Sequence, residues 1–277
     1  MNINFLYFKK KIIIVLKIVG FIIIFFLIFS ILEYIISRFL NFYLLSQIIF
    51  FLSVLITSKI SISLFDKKLL RDLGLKNIER NKHYIVMGLI LPIITMFLVA
   101  FILVVSGNGY YSNDFSKKSM FHFLISIPYF VFVGFNEELL FRGYIFQRLI
   151  EGFGKLFSVI LLSVLFGLAH YFNPHINFVS LINIVLAGIL FSLMYIKTCS
   201  LWLPIAFHFS WNFSEGMLFG FPVSGITLFN QFISFHPTGN TFLTGGSFGP
   251  EGSLTVTIFL LILIFYFFKK SDEKCEE

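Results

Sequence analysis

The fold is decided by the stretch NEELLFR at residues 136–142, which places three ionisable side chains inside an apolar run. Residues 120–135 before it contain no Asp, Glu, Lys or Arg, and the apolar pattern continues to residue 150 at helical spacing. Charged side chains are costly at bilayer depth and occur there mainly where they serve a function. The pattern therefore predicts a membrane-embedded helix that carries Glu137, Glu138 and Arg142.

The composition extends this interpretation to the whole chain. Of the 277 residues 58% are hydrophobic and 13% are charged, and the mean hydropathy is +0.92, which excludes a soluble globular domain. The sequence predicts an all-α fold, a polytopic transmembrane helix bundle with the lipid bilayer as its surroundings. The net charge of +7 belongs to the loops and reports orientation, so we expect no nucleic-acid partner. The expected location is the cell membrane.

Turn residues and charges divide the chain into about eight predicted spans, at residues 14–36, 43–64, 84–106, 120–150, 156–171, 178–196, 201–220 and 254–268. The loop 66–82 is rich in Lys and Arg and is predicted to be cytoplasmic, as are both termini. We expect three regions. Residues 1–118 hold the first spans and the basic loop, residues 119–220 form an intramembrane catalytic core, and residues 221–277 form an outer loop, the last span and a cytoplasmic tail.

Helical geometry separates the roles of the two glutamates. Glu138 and Arg142 are four residues apart, about 40° around the helix axis, with the acid before the base, which favours an intrahelical ion pair. Glu137 is turned about 100° away from Glu138 and gains no such partner. A poorly solvated carboxylate without a cation holds a proton more readily, so Glu137 is the candidate general base. A cluster that only joins helices is the alternative for these three residues.

Two later segments carry histidines that are predicted to lie near the glutamates. Glu138 lies 14 residues before Gly152 and His170 lies 16 residues after Gly154, so both lie about 21 to 24 Å above the turn at 1.5 Å per residue. His208 and Asn212 share a helix face four residues apart. A lone histidine in such a helix is more often a packing residue, but two of them in spans nearly empty of other ionisable groups indicate a site. The remaining histidines are expected at loops or span ends.

These residue types suit hydrolysis of an amide bond. A carboxylate can deprotonate water and return the proton to the leaving amine, imidazoles can hold a metal or donate hydrogen bonds, and an amide NH2 can stabilise an oxyanion. Phe166 lies one turn before His170, where it serves either core packing or the orientation of the imidazole. The chain has no G-x-S-x-G, H-E-x-x-H or P-loop pattern.

The three motifs, Glu137-Glu138-xxx-Arg142, Phe166-xxx-His170 and His208-xxx-Asn212, together resemble those of the CPBP intramembrane proteases. That family includes the type II CAAX prenyl endopeptidases and the bacteriocin-processing and immunity proteins. The resemblance spans residues 121–219. It implies a peptide hydrolase built as a bundle of about eight helices around an internal cavity. It also implies Glu137 as base, His170 and His208 as partners of water or metal, and Asn212 as oxyanion donor.

Two questions stay open at this point. Glu137, His170 and His208 could bind Zn²⁺ as a metalloprotease triad or hold water without a metal, and family members of both kinds have been described. The substrate is expected to be a peptide or a membrane protein, with peptide maturation, export-linked processing or self-immunity favoured over CAAX trimming. The alternatives to a protease are a non-catalytic bacteriocin immunity or binding protein and a proton-coupled transporter, for which no inverted repeat is visible.

Overall fold

The computed structural model describes residues 3–36 and 43–269. Within them the predicted all-α fold is confirmed, with one pair of short strands outside the helices. The helices are α1 Ile3–Ile36, α2 Tyr43–Asp66, α3 Lys82–Val105, α4 Lys117–Glu138, α5 Phe146–Phe153, α6 Lys155–Ala169, α7 Phe178–Thr198, α8 Trp202–Phe213, α9 Thr241–Thr244 and α10 Leu254–Lys269. Single 3-10 turns lie at Leu70–Leu73, Gly246–Phe248 and Pro250–Gly252. The strands are β1 Gly109–Asn113 and β2 Ile233–Pro237.

The structure confirms only part of the predicted set of spans. Among the described residues, five helical segments are long and apolar enough to cross a membrane, namely Phe8–Ile36, Tyr43–Asp66, Lys82–Val105, Lys117–Phe153 and Phe178–Thr198. Helices α6 and α10 are apolar but have 15 and 16 residues, and α8 has 12, whereas a perpendicular span needs about 20. The eight predicted spans are therefore not confirmed. Five membrane-capable helices still indicate a multi-pass membrane protein.

The sequence pattern predicted one helix over residues 120–150, but the segment that carries the glutamates is interrupted. Helix α4 continues through Pro128 and Gly134 and ends at Glu138, where a π-helical turn, Leu139–Ile145, begins. The backbone N–H of Phe146 donates to the carbonyl of Phe141 across this wider turn before α5 starts. Turns of this kind are rare and are often found at functional sites. Helix α8 is followed by a second one, Ser214–Leu218.

Small residues let the helices around α8 approach closely. A side chain at Gly88 of α3 would lie 2.9 Å from the carbonyl oxygen of Leu203, and one at Gly134 of α4 would lie 3.1 Å from that of Ile205. Helix α8 therefore packs directly against α3 and α4. Helices α6 and α7 also approach closely, at Gly188 of α7, where a Cβ would lie 2.9 Å from the Cα of Ser163.

The loop before α4 and the predicted outer loop after α8 are folded together. Strands β1 and β2 pair antiparallel, with Gly109 opposite Pro237 and Asn113 opposite Ile233. The two strands belong to the loops before α4 and after α8, which sequence analysis treated as separate. Because the pairing joins residues more than 100 positions apart, no local pattern could have predicted it.

At the opposite end of the bundle, Asp66 joins three helices. Its Oδ1 accepts from Lys17 Nζ of α1 at 2.6 Å and from Arg148 Nη1 of α5 at 2.8 Å, and its Oδ2 accepts from the Tyr144 hydroxyl at 2.9 Å. The side chains of Asp66 and Arg148 are 4% and 5% exposed, so this network is shielded from water. It links α1, the end of α2 and the start of α5.

Asp66→Asn should destabilise the protein because the amide no longer balances two cations. Loss of a hydrogen bond to a charged group costs about 1.5 to 3 kcal/mol. The readout is the thermal unfolding midpoint of the purified protein in detergent. Asp72→Asn is the control, since Asp72 pairs with the exposed Lys76 in the loop, and such pairs contribute less than about 1 kcal/mol. Equal midpoints for the two variants would contradict a structural role for the Asp66 network.

Candidate active site

The structure brings the predicted site residues to one place inside the bundle. Glu137 lies in the last turn of α4, His170 immediately follows α6, and His208 and Asn212 lie on α8. Glu137 Oε2 is 3.7 Å from His170 Nε2 and 4.0 Å from His208 Nε2. Among the described residues no arginine pairs with Glu137, as expected, but its carboxylate faces two imidazoles. Its side chain is 25% exposed, while Oε2 itself is buried and has no hydrogen-bond partner among the described residues.

The ring of His170 is oriented by its own helix end. Its Nδ1 is 2.8 Å from the backbone carbonyl oxygen of Phe166, which can only accept a hydrogen bond. Nδ1 must therefore carry the proton, and in a neutral ring Nε2 is left with a free lone pair. This atom is the one that faces Glu137. The Phe166 ring packs against the imidazole with centroids 4.8 Å apart, so both alternatives considered for Phe166 apply.

His208 is oriented by Glu138. Its Nδ1 is 3.0 Å from Glu138 Oε1, and the ring stacks on Phe191 with centroids 4.9 Å apart. Because the carboxylate accepts a hydrogen bond from Nδ1, the proton of the neutral ring lies on Nδ1. The other nitrogen, Nε2, faces Glu137. Glu138 therefore fixes the ring orientation of His208, as the Phe166 carbonyl does for His170.

The predicted ion pair of Glu138 and Arg142 is present. Arg142 Nη1 donates to Glu138 Oε1 at 3.2 Å, and both side chains are fully buried. Arg142 Nη2 donates to the carbonyl oxygen of Gly188 at 3.0 Å, and its guanidinium lies 4.6 Å from the Phe166 ring centroid. Neither Glu138 nor Arg142 lines the cavity described next. They act behind its wall, by fixing the position of His208.

A cavity of about 240 Å³ opens beside these residues. Glu137, His170, His208 and Asn212 line it, together with apolar walls that include Phe130, Phe191, Phe207 and Phe221. Apolar walls with a few convergent polar groups are typical of a ligand site.

Sequence reasoning missed several polar residues of this cavity. Gln47 of α2 and Tyr129 of α4 line it, and Gln47 is fixed by Asn136, whose Nδ2 donates to the Gln47 side chain at 3.0 Å. Glu251 lines it from the loop after α8. Gln47 and Tyr129 carried no spacing signal in the sequence. Glu251 did carry one, as the single charge in residues 221–252, but it was assigned to an outer loop.

The three residues proposed as zinc ligands were tested against the geometry. Two imidazole nitrogens and a carboxylate are the donor types of a catalytic zinc site. However, the described part of the chain contains no group of three or more His, Cys, Asp or Glu residues arranged to hold a metal ion. The donor types are suitable and the three groups face one another. The zinc site stays a prediction, and no step of the mechanism is assigned to a metal.

Comparison with known proteins gives one family match. Residues 119–214 match the family described as Rce1-like, Type II CAAX prenyl endopeptidase Rce1-like. The matched segment contains all six predicted site residues and supports the predicted membership of the CPBP family. It therefore supports an intramembrane endopeptidase of the CAAX type in general, acting on a peptide or protein substrate. Searches of the curated proteins and of the solved structures gave no significant match.

Proposed function

We propose that this member of the CPBP family cleaves peptide bonds inside the membrane with Glu137 as the general base. The observation that carries the proposal is the placement of Glu137 Oε2, 3.7 and 4.0 Å from the Nε2 atoms of His170 and His208, at the wall of an apolar cavity. A water molecule hydrogen-bonded to these groups would be positioned and deprotonated by the same set. The substrate is a peptide or a segment of a membrane protein.

The proposed reaction uses only side chains on this wall. Glu137 takes a proton from water, and the hydroxide attacks the carbonyl carbon of the scissile bond. The amide NH2 of Asn212 donates to the oxyanion that forms. Collapse of the tetrahedral intermediate breaks the C–N bond, and Glu137 returns its proton to the leaving amine. His170 and His208 hold the water in place, each fixed by the acceptor on its Nδ1.

The roles of Glu138 and Arg142 in this proposal are indirect. Glu138 accepts from both Arg142 and His208, so the guanidinium balances the carboxylate and the carboxylate keeps the imidazole oriented. Arg142 is in turn fixed by the Gly188 carbonyl. The chain thus supports His208 through buried contacts from α7 and from the π-helical turn after α4.

The test is cleavage of a fluorogenic peptide library by the full chain purified in detergent, with and without a chelator. We expect cleavage within apolar segments, and retention of activity in chelator is expected for a water held by Glu137, His170 and His208 without a metal. Loss of activity in chelator, with bound zinc that disappears in His170→Ala and His208→Ala, would instead establish the metalloprotease form. Absence of cleavage by folded protein, with proton flux across reconstituted vesicles, would favour the transporter.

A further inference from the structure

Glu251 contributes a charge to the cavity from outside the segment that matches the family. Its carboxylate is held from two sides. Oε1 accepts from the indole Nε1 of Trp211 at 2.9 Å, and Oε2 accepts from the backbone N–H and the hydroxyl of Ser224 at 3.0 and 2.5 Å. Three donors stabilise a negative charge on this group and leave it in one orientation. The carboxylate is therefore a fixed negative group on the cavity wall.

This carboxylate has no cation of its own in the described ranges. Two other acidic groups inside the bundle contact basic side chains, Asp66 with Arg148 and Glu138 with Arg142. Glu251 receives only neutral donors, and no Lys or Arg is among the described residues that line the cavity. An ionised group without a counter-charge in a low-dielectric cavity attracts a cation strongly.

A second acidic residue lies behind the same wall. Glu215 of the second π-helical turn is fully buried next to Glu251. No side chain of the described residues donates a hydrogen bond to its carboxylate. Glu215 does not line the cavity, so Glu251 supplies the negative charge on this part of the wall. A ligand that brings N–H donors and positive charge would complement it.

We propose that the wall formed by Glu251, Ser224 and Trp211 binds a cationic group of the peptide substrate, either a Lys or Arg side chain or a free N-terminal amine. This inference rests on the proposed function and adds the substrate class: an apolar peptide with one positive charge at a fixed distance from the scissile bond.

The test uses peptides that differ in one charge. Three versions of one apolar fluorogenic peptide are compared. The neutral version has an acetylated N-terminus and Gln at every variable position. The second version has one Lys, placed at each variable position in turn, and the third has Gln at these positions and a free N-terminal amine. We expect wild-type protein to cleave one cationic version with kcat/KM at least about tenfold above the neutral peptide. A preferred Lys position identifies a side-chain site, and preference for the free amine identifies an N-terminal site. Equal values for all versions would overturn the proposal.

The substitution Glu251→Gln tests whether Glu251 causes the preference for cationic peptides. The amide keeps the shape but has one accepting oxygen, so it loses the hydrogen bond from Trp211 or those from Ser224. Because the negative charge is gone, the ratio of cationic to neutral kcat/KM should fall to about one. Asp114→Asn is the matched control, because Asp114 is exposed, lies in the other outer loop and does not line the cavity. It should keep the wild-type ratio. An unchanged ratio in Glu251→Gln contradicts the assignment.

A binding measurement separates this proposal from the proposed function. Fluorescence anisotropy of labelled cationic and neutral peptides on Glu137→Gln protein needs no cleavage and no substitution at Glu251. We expect Kd for the cationic peptide to be at least about tenfold lower. Such a difference without any cleavage by wild-type protein would support the cation site and refute the protease, whereas equal Kd values refute the cation site whatever the cleavage assay gives.

Discussion

Glu137→Gln should reduce peptide cleavage by about 10²- to 10⁴-fold, the range typical of losing a general base. The amide keeps the size of the side chain and its hydrogen bonding but cannot accept a proton from water. Folding should be intact, because Glu137 is 25% exposed and has no buried arginine partner. The measurement is kcat on the best peptide, with the thermal unfolding midpoint of the same preparation.

Glu79→Gln is the control for this variant, since Glu79 is exposed and lies in the loop between α2 and α3. It removes the same charge and should leave cleavage at the wild-type level. Activity of folded Glu137→Gln within a few-fold of wild type would remove Glu137 from the mechanism. The cavity would then need another base, and the protease assignment of this site would lose its basis.

Arg142→Ala should be the most destabilising of these substitutions. It leaves the Glu138 carboxylate in a fully buried position with only His208 to balance it. Removing one partner of a buried ion pair costs about 3 to 5 kcal/mol, because the other charge stays uncompensated. The substitution also removes a donor from the Gly188 carbonyl. We expect a lower yield of folded protein and a lower unfolding midpoint, as well as reduced cleavage.

The double variant Glu138→Gln with Arg142→Met tests the reason for this effect. The pair is replaced without leaving a charge, and the glutamine oxygen can still accept from His208. The double variant should therefore be more stable than Arg142→Ala alone. Arg80→Ala, at an exposed loop position, is expected to change neither property. A wild-type midpoint for Arg142→Ala would show that the ion pair contributes little to stability.

Much of this site was predictable because its residues repeat at helical spacing. Glu138 with Arg142 and His208 with Asn212 are each four residues apart, so the spacing alone implies that each pair shares a helix face. The helices on either side of Gly154 are joined by a short turn, and Gly154 has a φ of 83°. The height of His170 above this turn could therefore be calculated from residue numbers. Charges inside apolar helices are rare enough that their positions indicate a site.

The rest depends on contacts between distant parts of the chain. The network of Lys17, Asp66 and Arg148 joins residues that sequence analysis assigned to a span, a loop and a helix end. Glu251 was assigned to a solvent-exposed loop because polar composition predicts a loop but not where the loop packs. The count of eight spans is not confirmed for a related reason, since apolar composition does not fix helix length.

The π-helical turn after Glu138 changes the phase of the helix. In a regular helix Arg148 would be about 80° around the axis from Glu138, whereas the one extra residue brings the separation close to 180°. Glu138 can then face His208 on α8 while Arg148 faces Asp66 on α2. One helix thereby holds two buried ionic networks on opposite sides. A deletion of one residue within 139–145 would remove this phase shift, so the two networks could no longer form together.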